Sequence, residues 1–411
     1  MQQVERSSQA SGLADALPSP RVGVALGAVS VMAVLGFAIV SGQGFRQGIL
    51  YGLGVLFGVA LYHARFGFTS AFRQLISVGQ GKGIRAHMLM LAAASVIFAP
   101  ILAAGTGFLG VETVGNVSPL GVSVVLGAFI FGIGMQLGGA CASGTLFSIG
   151  GGQTAILLTL AGFIGGSVIG AWHWGFWTRD SFNWATISLA DEFGYTSALL
   201  IQLSFIGAVA LVSLAVSRRR NPPPVTEKPS ASGTARVVRG TWPLWVGALV
   251  LAGLNAATLF IGGSPWGVTG AFALWGSKIA MALGIDVTSW TYWSGDNSAA
   301  LETSVLADVT SVMDFGIILG AMTAAAIGGT FALHKRIPWK TAAAAIIGGL
   351  LMGYGARLAY GCNIGAYFSG VASFSLHGWL WAGMALLGTY LGLKFRPLFG
   401  LGVPKPDDSR C

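Results

Sequence analysis

Gly132-Ile133-Gly134-Met135-Gln136-Leu137-Gly138-Gly139-Ala140-Cys141-Ala142-Ser143-Gly144-Thr145-Leu146-Phe147-Ser148 returns without a gap as Gly353-Tyr354-Gly355-Ala356-Arg357-Leu358-Ala359-Tyr360-Gly361-Cys362-Asn363-Ile364-Gly365-Ala366-Tyr367-Phe368-Ser369. Gly132, Gly134, Leu137, Cys141, Gly144, Phe147 and Ser148 are matched by Gly353, Gly355, Leu358, Cys362, Gly365, Phe368 and Ser369. A duplicated apolar helix needs to keep only its hydrophobicity. Here the kept positions are glycines around a thiol, and glycine lets a second backbone or a ligand come close. The repeat therefore presents one sulfur in each half of the chain.

The composition around this repeat sets the class. With 54% hydrophobic and 9% charged residues and a mean hydropathy of +0.73, the chain lacks the polar surface that a soluble core needs; soluble domains carry about 25% charged residues. This is the composition of a polytopic membrane protein. The +9 net charge does not point to nucleic acid, because the basic residues stand in short clusters between apolar runs, where they act as topology signals. Three cysteines are too few for a disulfide framework, and no histidine stands at metal spacing to them. No nucleophile and base constellation, phosphate loop or nucleotide motif is visible, so neither an enzyme nor a cofactor is expected.

Ten runs are long enough to cross a bilayer, for which about 20 residues suffice: residues 22–41, 47–62, 85–104, 119–137, 152–173, 195–216, 242–262, 312–333, 341–358 and 377–394. Four Gly-rich apolar pieces between them, 64–77, 138–150, 264–283 and 359–373, are too short to cross and read as re-entrant loops shielded by protein. If the spans alternate, Arg65, Arg73, Lys82, Arg85, Arg218-Arg219-Arg220, Lys335, Arg336, Lys394 and Arg396 fall on one side, which should be the cytoplasm. Glu112, Asp180, Asp191, Glu192, Asp296 and Glu302 fall on the other.

The division expected is a cytoplasmic tail over 1–21, a first membrane half over 22–216, a cytoplasmic linker over 217–240, a second half over 241–396 and a cytoplasmic tail over 397–411. A weaker repeat, Phe66-Gly67-Phe68-Thr69-Ser70-Ala71-Phe72 against Trp266-Gly267-Val268-Thr269-Gly270-Ala271-Phe272, supports the halves. Both then follow the order span, loop, span, span, loop, span, with the second upside down. In such inverted repeats the substrate site lies near the midplane, where broken helices meet. The fold class expected is an all-α polytopic membrane protein of about ten transmembrane helices and four re-entrant loops.

Each cysteine follows a Gly-rich approach and precedes a helix-compatible segment. Free N–H groups at a helix start favour an anion, and a thiol, soft and a weak donor, favours a sulfur-bearing one. Burial raises a thiol pKa and a helix start lowers it; neutral thiols acting as donors suit an anionic ligand better than thiolates. Against this stands the tendency of any cysteine simply to pack. Thr69 and Thr269 are candidates for the pathway lining or, equally, for helix caps. Arg357, in the slot of Gln136, and Lys278 are candidate anion-attracting charges, with snorkelling to the interface as the plain alternative.

The sequence Gly355-Ala356-Arg357-Leu358-Ala359-Tyr360-Gly361-Cys362-Asn363-Ile364-Gly365, its echo at Cys141 and the loops at Arg65–Thr69 and Pro265–Thr269 resemble the YeeE/YedE family over roughly residues 46–395. The resemblance implies inner-membrane import of sulfur compounds, thiosulfate above all, with selenium compounds for some relatives. It also implies a small cytoplasmic sulfur carrier like TusA as partner. Cysteines there hand the substrate along by transient hydrogen bonds, a role that falls by motif match to Cys141 and Cys362. Gly139, Gly144, Gly361, Gly365, Gly67, Thr69, Thr269, Gln136 and Arg357 complete the expected pathway. Relatives often carry a third cysteine in the first loop, where this chain has Gly67. The rival expectation is a membrane sulfurtransferase or redox protein that forms a cysteine persulfide.

Overall fold

In lipid, only a segment that satisfies its own backbone hydrogen bonds can cross, so each long apolar run becomes a helix. The computed structural model describes residues 18–222, 233–333 and 336–403, with Asp296 described by its backbone alone. Residues 1–17 of the first tail, 223–232 of the linker, His334, Lys335, and 404–411 with Cys411 lie outside the described residues.

The long helices are α1 (Val22–Gln43), α2 (Phe45–Ala64), α4 (Lys82–Ala104), α5 (Val122–Leu137), α7 (Ala155–Trp172), α8 (Leu189–Arg220), α9 (Leu244–Gly262), α11 (Val309–Ile327), α12 (Trp339–Leu358) and α13 (Leu376–Phe395). Interleaved are the short helices α3 (Phe68–Val78), α6 (Ala142–Gly150) and α10 (Thr269–Ala282), and a π-helix over Asn363–Ser369. Among the described residues, nine helical stretches are long and apolar enough to cross a membrane, and α13, at 20 residues, matches the tenth run of the sequence. The chain is an all-α, multi-pass membrane protein.

Each loop expected from the sequence is a short break followed by a helix whose first turn is buried: Phe68 and Thr69, Ala142 and Ser143, Thr269, and Asn363 and Ile364. Several expected boundaries move, among them the run at 195–216, which becomes α8 from Leu189. Residues 119–121 form β1 (Pro119–Gly121), paired antiparallel with β2 (Asn183–Thr186), because Pro119 and Gly121 suit a helix poorly. The run at 312–333 becomes α11, which begins at Val309, where the Asp308 carboxylate accepts from Ser311 N, and ends at Ile327 before Gly328-Gly329. The linker does not start at Ser217, since α8 continues to Arg220 with the Ser217 hydroxyl donating to Gly79 O at 3.0 Å. Its far end is docked too, as a helix over Gly233–Arg239 whose Arg239 donates to Pro18 O and Ile327 O.

The packing is two-fold symmetric. Exchanging α2 with α9, α3 with α10, α4 with α11, α5 with α12 and α7 with α13 turns one set of contacts into another. The packing of α4 on α9 becomes that of α11 on α2, α12 on α7 becomes α5 on α13, and α3 on α13 becomes α10 on α7. The equivalent helices also run in opposite directions. Arg46, at the start of α2, donates to Gly262 O at the end of α9, while His63, at the end of α2, meets Gly240 O just before α9. The second half is therefore the first one inverted.

Glycine makes the central crossing possible. A Cβ on Gly127 would lie 2.7 Å from Gly355 O, and one on Gly355 would lie 2.5 Å from Gly127 O. The symmetric contact joins Gly134 and Gly348, each with a 2.7 Å approach to the other's carbonyl. Here α5 and α12 touch backbone to backbone, as small residues allow between membrane helices. Arg220 bonded to Ile76 O, Arg396 to Gln136 O, and Arg239 to Ile327 O gather the basic clusters at one end. Glu112, Asp180 and Glu302 belong to the connections of the opposite, acidic end, and Asp191 and Glu192 to the first turn of α8 there.

Candidate functional site

Cys141 and Cys362 are both buried, each as the residue that opens a broken helix. Backbone geometry explains the glycines before them: Gly139 has φ +82° and Gly361 φ +145°, values an L side chain rarely adopts. The Cys362 sulfur accepts from Ile364 N at 3.4 Å, and the Cys141 sulfur lies 3.7 Å from the Ser143 hydroxyl. A Cβ on Gly144 would sit 3.4 Å from the Cys141 sulfur, so this glycine keeps the thiol's flank open. The two thiols, and Asp314 with Cys362, lie within electrostatic reach of each other.

At the acidic end, a vestibule of about 450 Å³ descends to the second cysteine motif. Thr269, Arg357, Gly361 and Gly365 line it, together with Asn116, Trp266, Tyr292, Thr310 and Tyr360. Arg357 donates from Nη2 to the Thr269 hydroxyl at 2.7 Å and from Nη1 to the Tyr292 hydroxyl. Its buried Nε has no partner among the described residues. A guanidinium whose Nε–H is unspent, in the wall of a polar recess, is an anion site in chemical terms. Asn116 donates to Gly365 O at 2.6 Å and so fixes the wall three residues past Cys362.

The remaining expected residues do not line this vestibule. Gln136, equivalent to Arg357, donates weakly to Thr69 O at 3.5 Å and to Thr389 Oγ1 at 3.4 Å, and its carbonyl takes Arg396. The Thr69 hydroxyl and Gln136 Oε1 are buried without partners among the described residues. Gly67, Thr69, Gln136, Gly139 and Gly144 thus stand with Cys141 on the basic-end side, and Arg357, Thr269, Gly361 and Gly365 with Cys362 on the acidic-end side. Gly67 has an ordinary φ of −111°, and a Cβ there would meet the Ser70 hydroxyl, which can swing away. A side chain at this slot is therefore not barred by the backbone.

Lys278 does not line the vestibule. Its ammonium donates to Leu301 O at 2.6 Å and Thr303 O at 2.8 Å, and it ties down the segment between α10 and α11. Two vestibule residues, and one buried group outside the vestibule, escaped the sequence reading. Tyr292 and Asn116 come from connections with no repeat to flag them. Asp314 left a signal, since it is the only acidic residue within the ten apolar runs.

Residues 63–391 match the family described as Sulphur transport. The thiosulfate transporter TsuA of Spirochaeta thermophila is 30% identical over 352 residues, covering 82% of this chain and 95% of that protein. TsuA of Escherichia coli K12 is 27% identical over 354 residues, covering 83% and 93%. The probable transporter YedE of Escherichia coli K12 is 34% identical over 178 residues, and the chain spans only 44% of its length.

Proposed function

The chain belongs to the sulphur-transport family, and on that premise we propose that it imports a small sulfur-containing anion, thiosulfate foremost, past Cys141 and Cys362. The basic end then faces the cytoplasm, as the positive-inside rule requires, and both tails and the linker lie there in the inner membrane. The observation that carries this reading is the buried Arg357 in the wall of the acidic-end vestibule, with Gly361 and Gly365 on either side of Cys362 in the same wall.

An anion from the periplasm meets Arg357 and Thr269 first, exchanging its hydration for charge-assisted bonds. It then passes to the Cys362 thiol and on to Cys141, each a weak and soft donor that releases as readily as it holds. Beyond Cys141, Thr69 and Gln136 offer neutral polar groups, and the nearby Arg396 guanidinium is engaged by the Gln136 and Gly402 backbone carbonyls, so the anion is held less tightly at the exit. A TusA-like carrier would receive it at the basic end.

Purified protein in liposomes, supplied with labelled thiosulfate, tests the proposal. Uptake that unlabelled thiosulfate competes and sulfate competes poorly is expected, without a stable persulfide on either cysteine. Competition by selenium analogues would identify the wider substrate class. A persulfide trapped on Cys141 or Cys362 during turnover, with no net anion flux, would replace transport by sulfur transfer.

A further inference from the structure

Asp314 lies in α11, fully buried, and neither carboxylate oxygen has a hydrogen-bond partner among the described residues. An unpaired charge in a membrane interior is costly and marks function more often than packing. Among the described residues no cation bonds it, and Arg236 and Arg239, on the Gly233–Arg239 helix that also packs on α11, are held by Thr241 O, Ile327 O and Pro18 O. On α2, Arg46 bonds Gly262 O, Tyr51 bonds Met32 O, Tyr62 pairs with Thr330 and His63 with Gly240 O. On α10, Lys278 is held by Leu301 O and Thr303 O. Helix α1 has no titratable residue, and α6 has none beyond Cys141 at its start. Asp308, six residues earlier, and Cys362 interact with Asp314 electrostatically.

The position sets Asp314 behind the vestibule wall without lining it. Thr310 lines the vestibule, and Asp314 follows it by four residues, so the two share one helix face with Asp314 a turn deeper. The backbone there is held firmly, since Gly54 packs on Met313 and Gly316 on Tyr51 O.

We propose that Asp314 is the proton-carrying group that couples anion import to proton entry. The step is a simple protonation: the carboxylate takes a proton from the vestibule past Thr310, travels the transport cycle as the neutral acid and releases the proton to the cytoplasm. A dianion arriving at Cys362 favours the neutral form of a carboxyl within reach, and by linkage the protonated carboxyl favours the anion. One proton carried with each dianion halves the charge that must move against an inside-negative potential, and the pH gradient adds its own drive. This inference rests on the transport reading above.

Proteoliposomes with an imposed pH gradient separate the two. Wild-type protein should accumulate thiosulfate when the outside is acidic and should acidify the lumen in step. Asp314→Asn should retain thiosulfate exchange at equal pH within threefold, yet lose at least tenfold in gradient-driven accumulation together with the lumen acidification. Asp314→Glu should keep coupling with a displaced pH dependence, and this arm decides the matter if the Asn variant does not assemble. Coupled accumulation by Asp314→Asn, loss of its exchange along with accumulation, an unmoved pH profile for Asp314→Glu, or wild-type flux indifferent to the gradient would each overturn the inference while transport stands. No flux at all from the wild type would remove the transport reading and the inference with it.

Discussion

Arg357 donates to the Thr269 hydroxyl at 2.7 Å, and its counterpart in the first half, Gln136, donates from Nε2 to the Thr69 backbone carbonyl at 3.5 Å. The same side-chain slot thus meets the same loop residue in both repeats, but with a permanent cation at one end and a neutral amide at the other. An inverted repeat built from identical halves would bind an anion equally from both sides. Replacing one amide by a guanidinium places the tighter of two equivalent sites at the acidic end, where the vestibule is.

Arg357→Gln, which gives both repeats the same amide, should therefore weaken capture rather than stop passage. Hydrogen bonds to a charged group contribute about 1.5–3 kcal/mol, so KM for thiosulfate uptake should rise roughly tenfold or more, with the maximal rate kept within a few fold. Arg357→Lys should fall between, as a point charge that cannot hold Thr269 and Tyr292 together. Uptake kinetics in liposomes measure both, and an unchanged KM in the Gln variant would make Arg357 a structural strut.

The glycine crossing predicts a stability phenotype of a different kind. A Val side chain at Gly355 would begin 2.5 Å from Gly127 O and 2.9 Å from Phe131 N, both backbone atoms that cannot swing away. Overpacking of this sort costs about 1–3 kcal/mol and sometimes more. Gly355→Val should melt well below the wild type in detergent, followed by fluorescence-detected size exclusion. Gly267→Ala should melt like the wild type, because nothing lies within 4 Å of a Cβ there.

The long helices were legible because a run of about 20 apolar residues has few alternatives in a bilayer, and their order and inversion followed from charge alternation and the cysteine repeat. Boundaries slipped where local chemistry outranks hydropathy, as at Pro119 and Gly121, and where a hydroxyl such as Ser217 extends a helix past its last apolar residue. The pairing of Arg357 with Thr269 was half visible, since both were candidates but 88 residues separate them. Tyr292 was not visible at all, because it arrives from a segment after α10 that the first half does not repeat. Asp314 was visible in principle, as a charge inside an apolar run; its lack of any partner required the fold.

Access to the thiols should be sided. The vestibule touches Gly361 and Gly365 around Cys362, whereas no described residue within three positions of Cys141 lines it. A small membrane-impermeant thiol reagent added to intact cells should modify Cys362 before Cys141, and excess thiosulfate should slow the reaction. Inside-out vesicles should reverse the preference. Modification of Cys141 from outside with Cys362 protected would contradict the orientation proposed for the basic end.

The thiols themselves give the last test. Each is buried, and the loss of one sulfur atom should cost only about 1 kcal/mol of stability. Cys141→Ala and Cys362→Ala should therefore assemble and melt close to the wild type, yet lose at least tenfold in thiosulfate uptake, since each removes a donor on the path while leaving its glycines in place. Serine should restore uptake only in part at either position: its hydroxyl donates, but it is harder and more strongly hydrated than a thiol and matches a sulfur-bearing anion less well. The two sites should also behave alike, because the inverted repeat makes them equivalents in successive positions of one route. Full uptake by the double alanine variant in liposomes would reduce both cysteines to packing residues, and Arg357 would then have to carry recognition alone.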